Sequence, residues 1–274
     1  MRNAVVYVTC SIVLTLAGCG SREKEARAML DNAKVLYENY DFIAAKNEMD
    51  SIRARYPKEV KVLKETLELM RKVELKEAER NIAYCDSLLP VRQEEAAEAV
   101  KGFSFEKDSV YEDLGKYIRQ RKTLERNVER TYIRYGVNEK GEMYLTSVYF
   151  GSQPINHTGI KVSTKDGLFA ETASIPYDGG VNYRFKDEGN TSEIVNYQGE
   201  NGIDAIKFIY ANAKERIKVD FTGGKPYGIY LEEADKKDLA ATYDLANILS
   251  EIHGLTIERE KSLKKKAYLE GKLN

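Results

Sequence analysis

Hydrophobic and polar positions follow a helical period over the first part of the chain. Apolar residues recur at spacings of three and four, and an interruption at Tyr40-Asp41 separates two helices. Pro57 is expected to end the second helix, because its ring cannot continue an α-helix. The pattern predicts an antiparallel helix pair with apolar positions Met29, Ala33, Leu36, Ala45, Met49 and Ile52.

The spacing in this helix pair resembles one tetratricopeptide unit. Such units bury their apolar faces by stacking, and no second copy follows here at the period of about 34 residues. We interpret the segment as an ordinary helix pair, with membership of that family as the alternative.

A third, longer helix is predicted over residues 58–89, and Pro90 is expected to end or kink it. Its apolar positions form a seam with one phase slip, as in a short coiled coil. Cys85 lies on this seam, which indicates a packed thiol rather than a reactive one. The seam comprises Val60, Leu63, Leu67, Met70, Leu75, Ala78, Ile82, Cys85 and Leu89.

Two more helices are predicted before the period changes. A short one finishes at residues 96–101, and another runs over residues 108–129. The apolar stripe of the second consists of Val110, Leu114, Tyr117, Leu124 and Val128.

From about residue 132 the pattern alternates with a period of two, which is typical of β-strands. Short alternating segments between glycine-rich turns favour an antiparallel sandwich or open barrel. One amphipathic helix, begun by Asn201 with Asp204 in its first turn, interrupts them. The alternating segments include 144–150, 160–162, 181–185, 217–221 and 227–231.

A helical pattern resumes at Glu232 and continues to the last residues. The prediction is an α+β fold, in which the long C-terminal helix returns onto an N-terminal helical or coiled-coil bundle. The predicted organisation is a signal peptide over 1–18, a helical stalk over 19–131, a β domain over 132–232 and a C-terminal helix over 233–274.

Composition excludes some functions and binding sites. The 274 residues carry a formal net charge of −1, whereas a nucleic-acid-binding protein needs a concentrated basic face. The two histidines, His157 and His253, leave few ligands for a metal, and we expect no metal or cofactor. The residues from 257 onward hold six Lys or Arg and three Glu; they are expected to form a solvated helix face, with contact to anionic lipid as the alternative.

The N-terminus has the composition of an export signal. Arg2 precedes fourteen uncharged residues, 4–17, which are too few to span a bilayer comfortably. Leu16-Ala17-Gly18-Cys19 then resembles the lipobox of bacterial lipoproteins. An ordinary cleaved signal with an accidental cysteine is the alternative.

The lipobox resemblance implies cleavage before Cys19 and attachment of acyl chains such as palmitate to it. Membrane lipid is then one partner, and several acyl chains give stable anchoring. Because Gly20 is not the aspartate that retains such proteins in the inner membrane, the expected location is the outer membrane, facing either the periplasm or the cell surface. With Cys19 acylated and Cys10 removed, Cys85 alone remains, so no intramolecular disulfide is expected.

Ten of the nineteen tyrosines lie between residues 132 and 231. Exposed tyrosines on a β face can stack on sugar rings, although cross-strand packing is the commoner use. His157 stands in a loop rich in turn-forming residues and is expected to be exposed. The candidate binding residues are Tyr144, Tyr149, Tyr183, Tyr197 and His157.

The sequence gives little indication of catalytic activity. The sequence shows no nucleophile elbow, metal-binding helix or phosphate loop, and a hydrolytic carboxylate pair would require two of Glu142, Glu171 and Glu193 to meet in a pocket. We therefore predict a non-catalytic, membrane-anchored interaction or assembly module of the cell envelope, with an envelope protein as partner. The alternative is a lipoprotein that binds a glycan or peptide through its tyrosine-rich β domain.

Overall fold

The structure, a computed structural model, describes residues 18–108, 110 and 112–273. Within these residues the fold is α+β, as predicted, with long helices and two antiparallel sheets. The predicted signal segment up to residue 17 lies outside the described residues. The helices are α1 Gly18–Glu38, α2 Phe42–Arg55, α3 Val60–Ala99, α4 Ile203–Ala211 and α5 Glu233–Leu273.

The chain divides into two compact units, and α3 and α5 contribute residues to both. One, here called the helical unit, consists of the described residues up to Asp86 together with those from Ile257 onward. The other, here called the β unit, is Ser87–Thr256.

The predicted helix pair is confirmed in α1 and α2. Asp41 caps α2, because its side-chain oxygen accepts a hydrogen bond of 3.1 Å from the backbone N–H of Ala44. The apolar faces of the pair and of α3 form one core, whose buried residues are Ala26, Leu30, Ala33, Phe42, Ala45, Met49, Ile52, Val62, Leu69 and Val73.

The first half of the predicted seam on α3 is wrong at two of its four positions, whereas Leu63 and Met70 pack against the core of the helical unit. Val60 and Leu67 are 74% and 49% exposed, whereas Val62, Leu69 and Val73 are buried. This part of α3 carries apolar residues on two sides, and the side that meets α1 and α2 determines which are buried. Farther along, Ala78 and Cys85 are buried, as the seam predicted.

The last part of α5 returns along α3 within the helical unit, as predicted. Lys265 lies 3.9 Å from Glu74, and Arg259 donates a hydrogen bond to Asp86. Leu269 is only 3% exposed. The basic residues of this segment therefore lie near acidic residues of α3.

Of the two outcomes expected at Pro90, a helix end or a kink, the helix end is wrong, since α3 continues nine residues farther to Ala99. Proline within a helix removes one backbone hydrogen bond and crowds the preceding turn. Beyond Pro90, Ala96 belongs to the core of the β unit, and Ala99 packs against that core. This packing favours continuation of the helix in spite of the proline.

The predicted helix over 108–129 is also wrong. The chain forms β1 Phe103–Glu106 and β2 Lys116–Arg119, followed by 3₁₀ turns at Gln120–Lys122 and Leu124–Arg126. Ile118 of β2 is fully buried, whereas Val110 and Val128 are 76% and 69% exposed. Pairing of β2 with the strands before and after it in the chain thus overrides the local helical spacing.

The remaining strands are β3 Tyr132–Asn138, β4 Met143–Gly151, β5 Gly159–Ser163, β6 Phe169–Glu171, β7 Asn182–Asp187, β8 Asn190–Gln198, β9 Lys218–Thr222 and β10 Tyr227–Tyr230. The alternating segments are confirmed as strands, and β6 and β8 were not predicted. A six-stranded sheet has the order β1-β2-β3-β4-β8-β7 and a four-stranded sheet the order β10-β9-β5-β6. Residues of both sheets, of α4 and of α5 share one core.

Candidate functional site

Strand β4 is apolar on both of its faces. Leu145 and Tyr149 point into the core shared by the two sheets. Val148 and Phe150, which point the other way, line a cavity on the outer face of the six-stranded sheet. Antiparallel sheets usually present polar residues on the face away from the core, so this second apolar face is unusual.

The cavity has a volume of about 270 Å³, and its floor consists of rows of side chains that run across the strands. The first row is Arg134, Thr146 and Asn196; the second is Tyr132, Val148, Ile194 and Tyr183; the third is Phe150, Ser192 and Phe185. The floor therefore changes from polar to apolar along β4.

One wall of the cavity is supplied by Leu124 of the second 3₁₀ turn and by residues 127–130, which connect that turn to β3. Leu124 and Val128 present apolar surface there, with exposed fractions of 56% and 69%. Asn127 is buried, and its side-chain amide donates to the backbone oxygens of Arg121 and Thr123 at 2.7 and 2.8 Å. These bonds fix the turn from which the apolar wall projects.

A cluster of charged residues ties the preceding turn to the start of α5. Arg121 donates to Asp238 at 2.9 Å and to Asp235 at 2.6 Å, while the buried ammonium of Lys122 lies 2.8 Å from Asp235. Burial lowers the pKa of Lys122, although Asp235 opposes this effect. Paired in this way, the buried cation anchors the segment that becomes the cavity wall.

Of the candidate tyrosines, Tyr183 alone lines the cavity. Tyr197 is fully buried, and Tyr149 is buried with its hydroxyl donating to the backbone oxygen of Gln153 at 2.7 Å. Tyr144 covers Gly136 on the neighbouring strand, where an added Cβ would lie 2.6 Å from its hydroxyl oxygen. Three of the four tyrosines thus pack within the unit.

The expected exposure of His157 is wrong, because this side chain is buried between the sheets. Its Nε2 lies 2.9 Å from Oγ of Ser147, and its Nδ1 lies 3.0 Å from Oε2 of Glu193. The hydroxyl of Tyr197 is 3.1 Å from the same Ser147 oxygen. An ionised Glu193 only accepts hydrogen bonds, so Nδ1 of His157 must donate.

The Glu193 carboxylate also holds the loop that precedes β5. One oxygen accepts the backbone N–H groups of Ile155 and Asn156, both at 2.8 Å, and the other accepts that of His157 at 3.0 Å. Burial by itself would raise the pKa of this carboxyl. The hydrogen bonds from His157 and the backbone outweigh burial and lower the pKa to about 2.

Ser147, His157 and Glu193 are connected in the order of a hydrolytic triad. However, all three are at most 1% exposed, and none lines the cavity. The other two candidate carboxylates lie elsewhere. Glu142 accepts a hydrogen bond from the side chain of Asn138, and Glu171 lies 3.8 Å from the ammonium of Lys161. The arrangement therefore works as a buried clamp that joins β4, β8 and the loop before β5.

Sequence reasoning had included Glu193 and Tyr183 but missed Ser147, Arg134 and the 124–130 wall. The alternation of Tyr144, Thr146, Val148 and Phe150 was the available signal for the cavity, because Leu145 and Tyr149 on the opposite face of β4 are apolar too. Arg134 gives no such signal, since a single arginine on a strand is ordinary on a solvated face.

Within the part of the chain that the structure describes, no cluster of His, Cys, Asp or Glu is arranged to hold a metal ion. No helix among the same residues is long and apolar enough to cross a bilayer. The side chain of Cys19 lies outside what the structure describes. Comparison with protein-family models, with curated proteins and with solved structures finds no match.

Proposed function

We propose that the protein is a lipid-anchored, non-catalytic binding protein of the bacterial envelope, with its ligand site in the cavity on the six-stranded sheet. The cavity carries this proposal. Its volume of about 270 Å³ is near the lower end of the range for ligand pockets, roughly 300–1,000 Å³. Such a site accommodates a small ligand or one large apolar group of a larger partner.

The apolar character of the cavity supports binding. Tyr132 forms the buried part of the floor, and Phe185 extends the apolar surface to the rim with 51% of its area exposed. Apolar surface that a sheet leaves open to solvent on its outer face marks an interaction site more often than a packing defect. On the floor, the polar residues Thr146, Ser192 and Asn196 add hydrogen-bonding groups that can orient a ligand.

A matched pair of valine variants tests the site. Val148→Arg places a charged side chain in the middle of the floor, whereas Val181→Arg alters an exposed valine outside the cavity lining. Wild type and Val181→Arg should enhance the fluorescence of 1-anilinonaphthalene-8-sulfonate, and Val148→Arg should lose most of the enhancement. Equal enhancement by all three, with unchanged circular dichroism, would contradict binding in the cavity.

Anchoring rests on the lipobox resemblance around Cys19 and is tested separately. Mass spectrometry of the chain isolated from its own envelope should show a mature N-terminus at Cys19 carrying acyl groups. Cys19→Ser should remain unprocessed and lose the acyl groups. A mature chain that begins elsewhere and carries no fatty acid would refute the anchor and the proposed outer-membrane location.

A further inference from the structure

One buried donor in the cavity lacks an acceptor. Arg134 has an exposed side-chain fraction of 14%, and its Nη2 donates to Glu106 at 2.8 Å. Its Nε is buried and has no hydrogen-bond partner among the residues that the structure describes. An unpaired buried donor costs free energy, so an acceptor supplied by a ligand would be favoured at this point.

The position of Arg134 relates this donor to the apolar floor. Arg134 lies in the row with Thr146, two residues along β4 from Val148 and four from Phe150. At about 3.4 Å per residue, the apolar rows lie about 7 and 14 Å from the arginine row. A ligand with its acceptor at Arg134 can thus extend an apolar body over both rows.

The far end of the cavity carries charges of both signs. Asp187, the last residue of β7, and Glu188, in the turn that follows, line that end, and Arg130 lines the wall there. A ligand carboxylate at that end would meet Asp187 and Glu188, whereas the unpaired Nε of Arg134 offers a donor at the other end. The unpaired donor therefore favours the orientation in which a polar head lies at Arg134 and an apolar tail extends away from it.

We infer that the cavity binds an acyl group, with its carbonyl oxygen accepting a hydrogen bond from Nε of Arg134 and its chain lying over Val148 towards Phe150. This inference rests on the proposed function, because it assigns a ligand class to the same cavity. Glu106 already balances the charge of Arg134, so a neutral carbonyl suffices. The acyl group can therefore come from a free fatty acid or from an amide-linked chain.

Calorimetric titration of the full chain carrying Cys19→Ser tests the inference with three eight-carbon probes. Octanamide and octanoate present an acceptor, whereas octylamine presents a cation to Arg134. We expect the two acyl probes to bind at least roughly ten-fold more tightly than octylamine, because a hydrogen bond to a charged group contributes about that much to affinity. A preference for octanoate indicates a free acid as the source, and a preference for octanamide an amide-linked chain.

A charge-balanced variant identifies the donor. Arg134→Met combined with Glu106→Gln removes the donor without changing net charge, and should weaken octanamide binding roughly ten-fold. Glu106→Gln alone keeps the guanidinium and should bind at least as tightly as wild type. Equal wild-type affinity for octylamine and octanamide, or unchanged octanamide affinity in the double variant, would overturn the inference.

The Val148→Arg variant separates failure of the inference from failure of the proposed site. Suppose that wild type binds the three probes with equal affinity and that Val148→Arg abolishes binding of all three. The cavity then remains the site, and the assignment of an acyl ligand is wrong. If Val148→Arg leaves the acyl affinities unchanged, the probes bind elsewhere, and both the inference and the proposed site are contradicted.

Discussion

Glu193 shows how a single carboxylate can organise a loop. Its two oxygens accept four hydrogen bonds, three from consecutive backbone N–H groups and one from His157. The residue is 1% exposed, so solvent offers these donors no alternative acceptor. The loop before β5 is consequently held against β8 by one side chain.

Glu193→Gln should lower the free energy of unfolding by about 2–4 kcal/mol. The glutamine side chain replaces one accepting oxygen with an NH₂ group, which then faces N–H donors that need an acceptor. Urea denaturation measures the change. Glu171→Gln is the matched control, since Glu171 is 53% exposed at its side chain and should change stability by about 0.5 kcal/mol or less. A loss of similar size in both variants would contradict the clamp.

The lowered pKa of Glu193 also makes stability depend on pH. In the unfolded chain this carboxyl takes up its proton near its ordinary pKa of 4.5, but the folded chain does so only near about 2. Its contribution is therefore complete above about pH 5 and is lost as the pH falls from there towards 2. Wild type and Glu193→Gln should thus differ less in unfolding free energy at pH 3 than at pH 7. A constant difference over this range would argue against the lowered pKa.

At the scale of elements, α3 continues through a proline. Pro90 is exposed, while Ala96, two turns later, is buried in the core of the β unit. A proline in a helix interior costs about 3 kcal/mol relative to alanine, and tertiary packing must offset this cost here. The helix is thus retained by what it contacts beyond the proline.

Pro90→Ala should accordingly raise the free energy of unfolding, by about 1–3 kcal/mol. Gln93→Ala is the control, because Gln93 is exposed on the same helix and its replacement should change stability by about 0.5 kcal/mol or less. Thermal and urea denaturation provide the measurement. An unchanged or less stable Pro90→Ala chain would show that α3 does not depend on packing to continue past this residue.

How far the elements could be predicted depends on where their determining contacts lie. The helix pair and β4 were predictable, because each carries its own periodicity over many residues. For β2, the residues Lys116-Tyr117-Ile118-Arg119 contain just one fully buried side chain, and the decisive contacts are with β1 and β3. A local pattern does not contain such contacts.

The same reasoning applies to the candidate site. Val148 and Phe150 were visible as an apolar alternation, but the strand alone does not show which of its faces meets the second sheet. His157 and Glu193 are 36 residues apart, and their contact depends on how the intervening strands β5, β6 and β7 fold. Sequence could therefore suggest the residues but not their combination.

At the scale of the molecule, residues distant in sequence complete the helical unit. The segment from Ile257 onward belongs to the unit that contains α1, α2 and the first part of α3. Its charged residues contact α3 through Lys265 and Arg259. Because exposed ion pairs are worth at most about 1 kcal/mol each, the buried Leu269 is expected to contribute more.

Leu269→Glu should therefore destabilise the helical unit by about 2–4 kcal/mol, since it removes buried apolar area and adds a charge. Leu263→Glu lies on the same helix at a position that is 39% exposed, and should cost much less. Hydrogen exchange followed by mass spectrometry resolves the effect by region. Protection should fall in α1, α2 and the first part of α3, while β4 and β8 keep theirs. Equal loss of protection in the strands and in these helices would show that the two units unfold together. It would contradict the prediction that the end of α5 stabilises the helical unit separately.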